Sequence, residues 1–219
     1  MSRESRRPKP FDYASMFVLG GVFVATWALY DRLPDPMPSH FGLRGVADSW
    51  MPRPFGAWLL PIATLGLGAV FRLGEWLLPR QARPTFRAAP VAGYTFVFVI
   101  MLSGLHLLIL RASLGPKPQL DGNVWVLAGV ALVVMGQLMP RTRRNALFGF
   151  RTKWSMASDE NWQRAQRAGA RAFAVSGAAM AALGALGFPA LAFASLLLMV
   201  VWSLAWSWAM GRRHPAPGK

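Results

Sequence analysis

Residues 139–171 read MPRTRRNALFGFRTKWSMASDENWQRAQRAGAR, the longest non-apolar run in a chain that is mostly apolar. The run holds eight bases (Arg141, Arg143, Arg144, Arg151, Lys153, Arg164, Arg167 and Arg171) and two acids, Asp159 and Glu160. Apolar segments flank it on both sides. A second polar island, 31–54, lies nearer the N-terminus. A helix rises 1.5 Å per residue, so ~20 apolar residues cross a ~30 Å hydrocarbon core. Six segments meet that requirement: 14–30, 55–78, 91–110, 124–139, roughly 172–187, and 191–210. Backbone groups in lipid must pair within their own segment, so each span is helical. The expected fold is an all-α integral membrane bundle of six transmembrane helices.

Composition agrees. Hydrophobic residues make up 54% of the 219 and charged residues 15%, against about 25% charged in an average soluble domain. Mean hydropathy is +0.32. The net charge of +15 sits at the ends of apolar runs rather than on a polar domain, so it argues for headgroup contact and topology, not direct nucleic-acid binding. The chain has no cysteine, which excludes disulfides and thiolate metal sites. With three His and nine acids, no protein-built metal site and no cofactor are expected. No nucleophile–base pair, phosphate-binding glycine loop or His-x-x-x-His is present, so the chain is read as a non-enzyme.

Basic residues set the orientation. Six spans place both termini, 79–90 and 140–171 on one side, with 18 of the 24 Lys and Arg. The other side holds five, and Arg72 lies within a span. The positive-inside rule puts the richer side in the cytoplasm. The N-terminal apolar run lacks a convincing cleavage site and is read as an uncleaved first span. The expected organisation is a basic cytoplasmic tail (1–13), the first span with a Pro-rich extracytoplasmic loop (14–54), and spans two to four (55–139). A basic cytoplasmic loop with an interfacial helix (140–171), a helical hairpin of spans five and six (172–210) and a cytoplasmic tail (211–219) complete it. Both tails are expected to be disordered near anionic headgroups.

Five prolines among the 24 residues of 31–54 fix φ and remove donors, which predicts a built loop rather than a helix. Gly42 and Gly45 permit positive φ. Phe41, Trp50 and Met51 suit the headgroup zone. His40 with Asp31, Asp35 and Asp48 admits two readings. The group binds a cation or orients the imidazole, or the side chains bond nearby backbone and hold the loop's shape.

In 140–171, Pro140 stops the fourth span and Gly149 is a pivot. Arg151 and Lys153 put two charges next to an indole anchor at Trp154. Ser158 is an N-cap, with Asp159 and Glu160 in the first turn, where the helix dipole favours acids. Trp162, Ala165, Gln166 and Gly169 share one helix face, and Arg164, Arg167 and Arg171 another. This predicts a basic amphipathic helix lying on the membrane and leading into the fifth span. Its bases either dock an acidic partner or lipid, or only fix topology. Arg151, set in a turn between aromatics, is the strongest exception to the topological role.

These residues resemble the signature of the SdpI family, bacterial multi-span proteins named for immunity to a secreted killing-factor toxin. The resemblance rests on Asn145, Gly149, Phe150, Arg151, Thr152 and Trp154, followed by Trp162, Arg167 and Gly169. In the first island, Leu33, Pro34, Asp35, Pro38, His40, Phe41, Gly45, Asp48 and Trp50 resemble the small uncharacterised domain that commonly precedes that signature. Lys153 stands where the family often has Pro, Ser155-Met156 replace Thr-Leu, and Ala165-Gln166 replace Thr-His. The resemblance implies toxin immunity or signalling without catalysis. A secreted peptide toxin would meet the outer loop, and a cytoplasmic repressor-type protein would be held by the inner one.

Polar groups also occur within spans. Arg72 and Glu75, at i and i+3, are a candidate intramembrane ion pair or simply snorkel to the interface. Ser103 and His106 are expected to face Gln137 through an interhelical hydrogen bond. Gly177, Ala181 and Gly184 predict a close-packing face against a neighbouring span. The region of Arg72, Glu75 and His106 supports an alternative reading as a small-solute or lipid transporter. His40 and Asp48 support another, a membrane enzyme with an extracytoplasmic acid/base site.

Overall fold

The computed structural model describes residues 10–77, 90–145 and 148–213, with the side chains of 72–77 and 213 outside the description. Among the described residues six helices are long and apolar enough to cross a membrane. They are α1 (Pro10–Leu29), α2 (Arg53–Leu77), α3 (Val91–Ser113), α4 (Asn123–Leu138), α5 (Asp159–Ala185) and α6 (Pro189–Arg213). The protein is thus mostly helical, as expected. The Arg72–Glu75 pair, the loop 79–90 and both tails fall at or beyond the limits of the described residues. The helices fall into two units, one holding α1, most of α2 and α3, the other α4 to α6.

In the first unit α1 inverts the pattern of a soluble helix. Its buried residues are Asp12, Ser15, Leu19, Val22 and Thr26, spaced three and four apart. Phe17, Val24 and Trp27 are exposed. Lipid is as apolar as Leu, so the small and polar residues turn inward and the large apolar ones face out. Phe11 packs on Phe96 of α3, and Phe23 stacks on Trp58 of α2. The helix α2 runs through Pro61 without a break; Thr64 Oγ1 donates to the Leu60 carbonyl one turn back. His106, fully buried on α3, meets Thr26 of α1, with Nε2 2.9 Å from Oγ1. The expected partner Gln137 is exposed instead.

The Pro-rich island is a β-hairpin, which its proline content concealed. Strands β1 (Met37–Phe41) and β2 (Ala47–Met51) pair antiparallel, with irregular register around His40. Pro38 is tolerated because a two-stranded ladder consists only of edges. The hairpin is tied to the α3–α4 connection. Ala47 N donates to the Pro118 carbonyl, Leu120 N donates to the Gly45 carbonyl, and Val46 bridges Gln119. The α1–α2 and α3–α4 connections therefore lie at one end of this unit, as alternating crossings require.

In the second unit α4 and α5 approach backbone to backbone. A Cβ placed on Gly129 would stand 2.4 Å from the Gly177 carbonyl oxygen and 2.9 Å from the Ala181 Cβ. This is the close-packing face expected of the fifth span. Ala185 ends α5, and Gly187 (φ +80°) turns the chain. Gly187 N donates to the Gly184 carbonyl and Phe188 N to the Leu183 carbonyl, a Schellman motif. Pro189 then opens α6, giving the tight hairpin expected. One expectation changes: α5 is a single helix of 27 residues, about 40 Å long, rather than an interfacial helix followed by a span. No Pro interrupts it, and the residues from Ala165 to Ala182 are mostly Ala, Arg and Ser, none of which stops a helix.

Candidate functional site

The basic loop between α4 and α5 is a built structure. A 3-10 turn at Met139–Arg141 closes α4 with Pro140 at its start. Thr142 follows, fully buried, and its carbonyl accepts from Trp162 Nε1 at 2.6 Å. Asn145 holds the next turn. Its Nδ2 donates to the Arg143 and Phe148 carbonyls, and its Oδ1 accepts from Phe148 N. The backbone then swings through Gly149 at φ +101°.

Beyond the glycine the loop docks on α5. Gln166, fully buried, accepts from Phe150 N through Oε1 at 3.1 Å and donates to the Phe150 carbonyl through Nε2 at 3.2 Å. A Cβ on Gly149 would lie 2.5 Å from that Oε1. Thr152 and Ser155 then bond reciprocally: Thr152 N to Ser155 Oγ at 2.8 Å, Ser155 N to Thr152 Oγ1 at 3.1 Å. Trp154 is buried, edge-on to Trp206 of α6 with centroids 5.4 Å apart. Arg144 reaches across, Nη1 to the Met156 carbonyl and Nε to Asp159 Oδ1, each at 2.9 Å. Ser158 caps α5 by accepting from Asn161 N.

The candidate motif residues therefore divide. Asn145, Gly149, Thr152, Trp154 and Trp162 are the skeleton of the loop. Arg151, Lys153 and Arg167 are exposed and form what it presents. The expected buried face of Trp162, Ala165, Gln166 and Gly169 is found, with Arg164, Arg167 and Arg171 exposed on another face. Sequence reading missed the docking role of Gln166, the anchor at Thr142 and the reciprocal bond of Ser155. A Thr-x-x-Ser spacing was the available signal for the last.

The hairpin is the second candidate site. His40 Nδ1 lies 2.6 Å from Asp48 Oδ1, both half or more exposed. Asp35 turns elsewhere: its Oδ1 accepts from Arg53 N, satisfying an orphan donor at the start of α2. Among the described residues no cluster of His, Cys, Asp or Glu is arranged to hold a metal ion. Of the residues His40, Asp31, Asp35 and Asp48, the structure thus brings together His40 and Asp48, while Asp35 bonds backbone and caps α2. Gly45 takes positive φ (+75°) where Leu120 crosses it, and Gly42 does not. Pro38 is buried and Phe41 half-buried, whereas Pro34 and Trp50 are exposed. Met37 and Leu33 anchor the base in a core with Ala57 and Leu110. Met37 packs so closely on Gly56 that a Cβ there would lie 2.8 Å from its own.

Known proteins fall on these two structures. Residues 141–207 match the SdpI/YfhL protein family, from the turn after α4 to the last turns of α6. Residues 17–65 match a domain of unknown function (DUF1648), covering most of α1, the hairpin and the first half of α2. The chain is 24% identical over 169 residues to "Immunity protein SdpI" of Bacillus subtilis (strain 168), which covers 77% of this chain and 79% of that protein. No solved structure matches. The chain is an SdpI-like multi-pass membrane protein, with its SdpI/YfhL region at 141–207 and the domain of unknown function at 17–65.

Proposed function

We propose that this protein confers immunity to a secreted peptide toxin and holds a cytoplasmic partner protein at the bacterial inner membrane. The observation that carries the reading is the likeness to an immunity protein along most of both chains. It includes the loop whose buried skeleton presents Arg151 and Lys153. In this reading the hairpin faces outside, with Leu43, Val46 and Trp50 as an exposed apolar surface for a peptide. The basic loop faces inside and meets an acidic surface on the partner. No catalysis is involved. A relay needs two states of the protein, with the toxin favouring the state that binds inside. The test is survival of a sensitive host challenged with secreted killing peptides, with and without this protein. Raised survival that is lost in Arg151→Glu supports the reading, and unchanged killing across the panel removes it. A second reading, chemistry at the hairpin, draws on the His40–Asp48 pair; full function in His40→Ala excludes it.

A further inference from the structure

The face of the α5–α6 hairpin carries a groove of about 710 Å³, within the range of small-molecule sites. One stretch is cationic, with Arg164, Arg167 and Arg171 at i, i+3 and i+7. The remainder is apolar, including Val175, Leu198 and Trp202. From Arg164 to Val175 is eleven residues of helix, about 16 Å. Arg164 is paired with Glu160, but among the described residues neither Arg167 nor Arg171 has an ion-pair partner. Val175 and Leu198 are about 70% exposed, at 70% and 68%.

The level of the groove in the bilayer follows from its surroundings. Trp154, Trp206 and Trp208 gather at the Arg164 end, and Arg212 lies 3.9 Å above the Trp208 ring. Indoles and guanidinium groups together mark the headgroup layer. The apolar part then lies in the acyl region, next to Arg167 and Arg171, which have no ion-pair partner among the described residues. A soluble anion has no use for the apolar wall, and an acyl chain alone has none for the guanidinium groups.

We propose that this groove is a binding site for an anionic phospholipid, with the phosphate on Arg167 and Arg171 and an acyl chain along Val175, Leu198 and Trp202. The occupant belongs to the membrane itself, so the site is independent of toxin immunity.

The test uses the whole protein in nanodiscs of equimolar phosphatidylglycerol and phosphatidylcholine, with retained lipid counted by native mass spectrometry. Wild type retains phosphatidylglycerol preferentially. Arg167→Gln with Arg171→Gln lowers that preference about thirtyfold, since each base near an anionic surface contributes about 1 kcal/mol and about 1.4 kcal/mol is tenfold. Arg141→Gln with Arg143→Gln, an equal charge loss outside the groove, leaves it within about twofold. Arg167→Lys with Arg171→Lys retains most of it, which a folding defect would not allow. Val175→Trp, filling the apolar part with all bases intact, also lowers retention. Equal loss in both Gln pairs, or no effect of Val175→Trp, overturns the site in favour of diffuse surface charge. Displacement of the lipid by a poly-glutamate peptide overturns it in favour of a protein partner.

Discussion

Gln166 shows how one neutral side chain decides the shape of a charged loop. Both ends of its amide are used on the backbone of Phe150, in a fully buried setting. Gln166→Leu keeps the volume but leaves the buried Phe150 N–H without a partner, and its carbonyl with Ser155 Oγ alone, at about 1–3 kcal/mol. The expected outcome is faster amide exchange and proteolysis across 148–158, with helix content unchanged. Exchange at wild-type rates would mean that the amide does not hold the loop. Residues acting on their nearest neighbours were legible in the sequence: Ser158 as a cap, Gly187 as a turn, Gly149 as a pivot. Each is dictated by backbone geometry within a few positions. Gln166 was assigned to the correct face without its partner, and the interhelical bond of His106 was expected without Thr26 as its partner. Its bond to Thr26 spans 80 residues, and no local pattern carries that information.

At the scale of elements, α4 and α5 are held by the absence of side chains. Gly129 and Gly177 each lie where a Cβ would meet the other's carbonyl oxygen at 2.4–2.5 Å. Because backbone rather than a flexible side chain stands in the way, the helices themselves must separate. Gly177→Val is therefore expected to cost about 1–3 kcal/mol, read as a lowered thermal transition in detergent. A transition within a degree of wild type would show that the helices adapt freely. The spacing of small residues on the fifth span announced this face, although its partner helix was not specified. The continuous α5 and the β-hairpin were not anticipated. Amphipathic periodicity up to Arg171 marked where the polar face ends, not where the helix does. Alternation, the usual signal for strands, is broken in 37–51 by Pro38 and by the irregular pairing near His40.

At the scale of the whole chain the proposed function depends on sidedness. The hairpin must be reachable from outside and the basic loop from inside. The asymmetry of Lys and Arg predicts this arrangement, and four helices separate or flank the two structures in the order α1, hairpin, α2, α3, α4, basic loop. If each of α2, α3 and α4 crosses, three crossings lie between them, and the proposal requires opposite sides. The joining of the hairpin to the α3–α4 connection agrees with that alternation within the first unit. The chain has no native cysteine, so His40→Cys and Arg151→Cys each introduce a lone thiol. Both positions are exposed, and burial will not limit either reaction. A membrane-impermeant maleimide should label position 40 in intact cells and position 151 only after permeabilisation. The reverse result would place the basic loop outside, remove the cytoplasmic partner from the proposal and leave the hairpin unable to meet a secreted toxin. Labelling of both positions in intact cells would mean that one of α2, α3 or α4 does not cross.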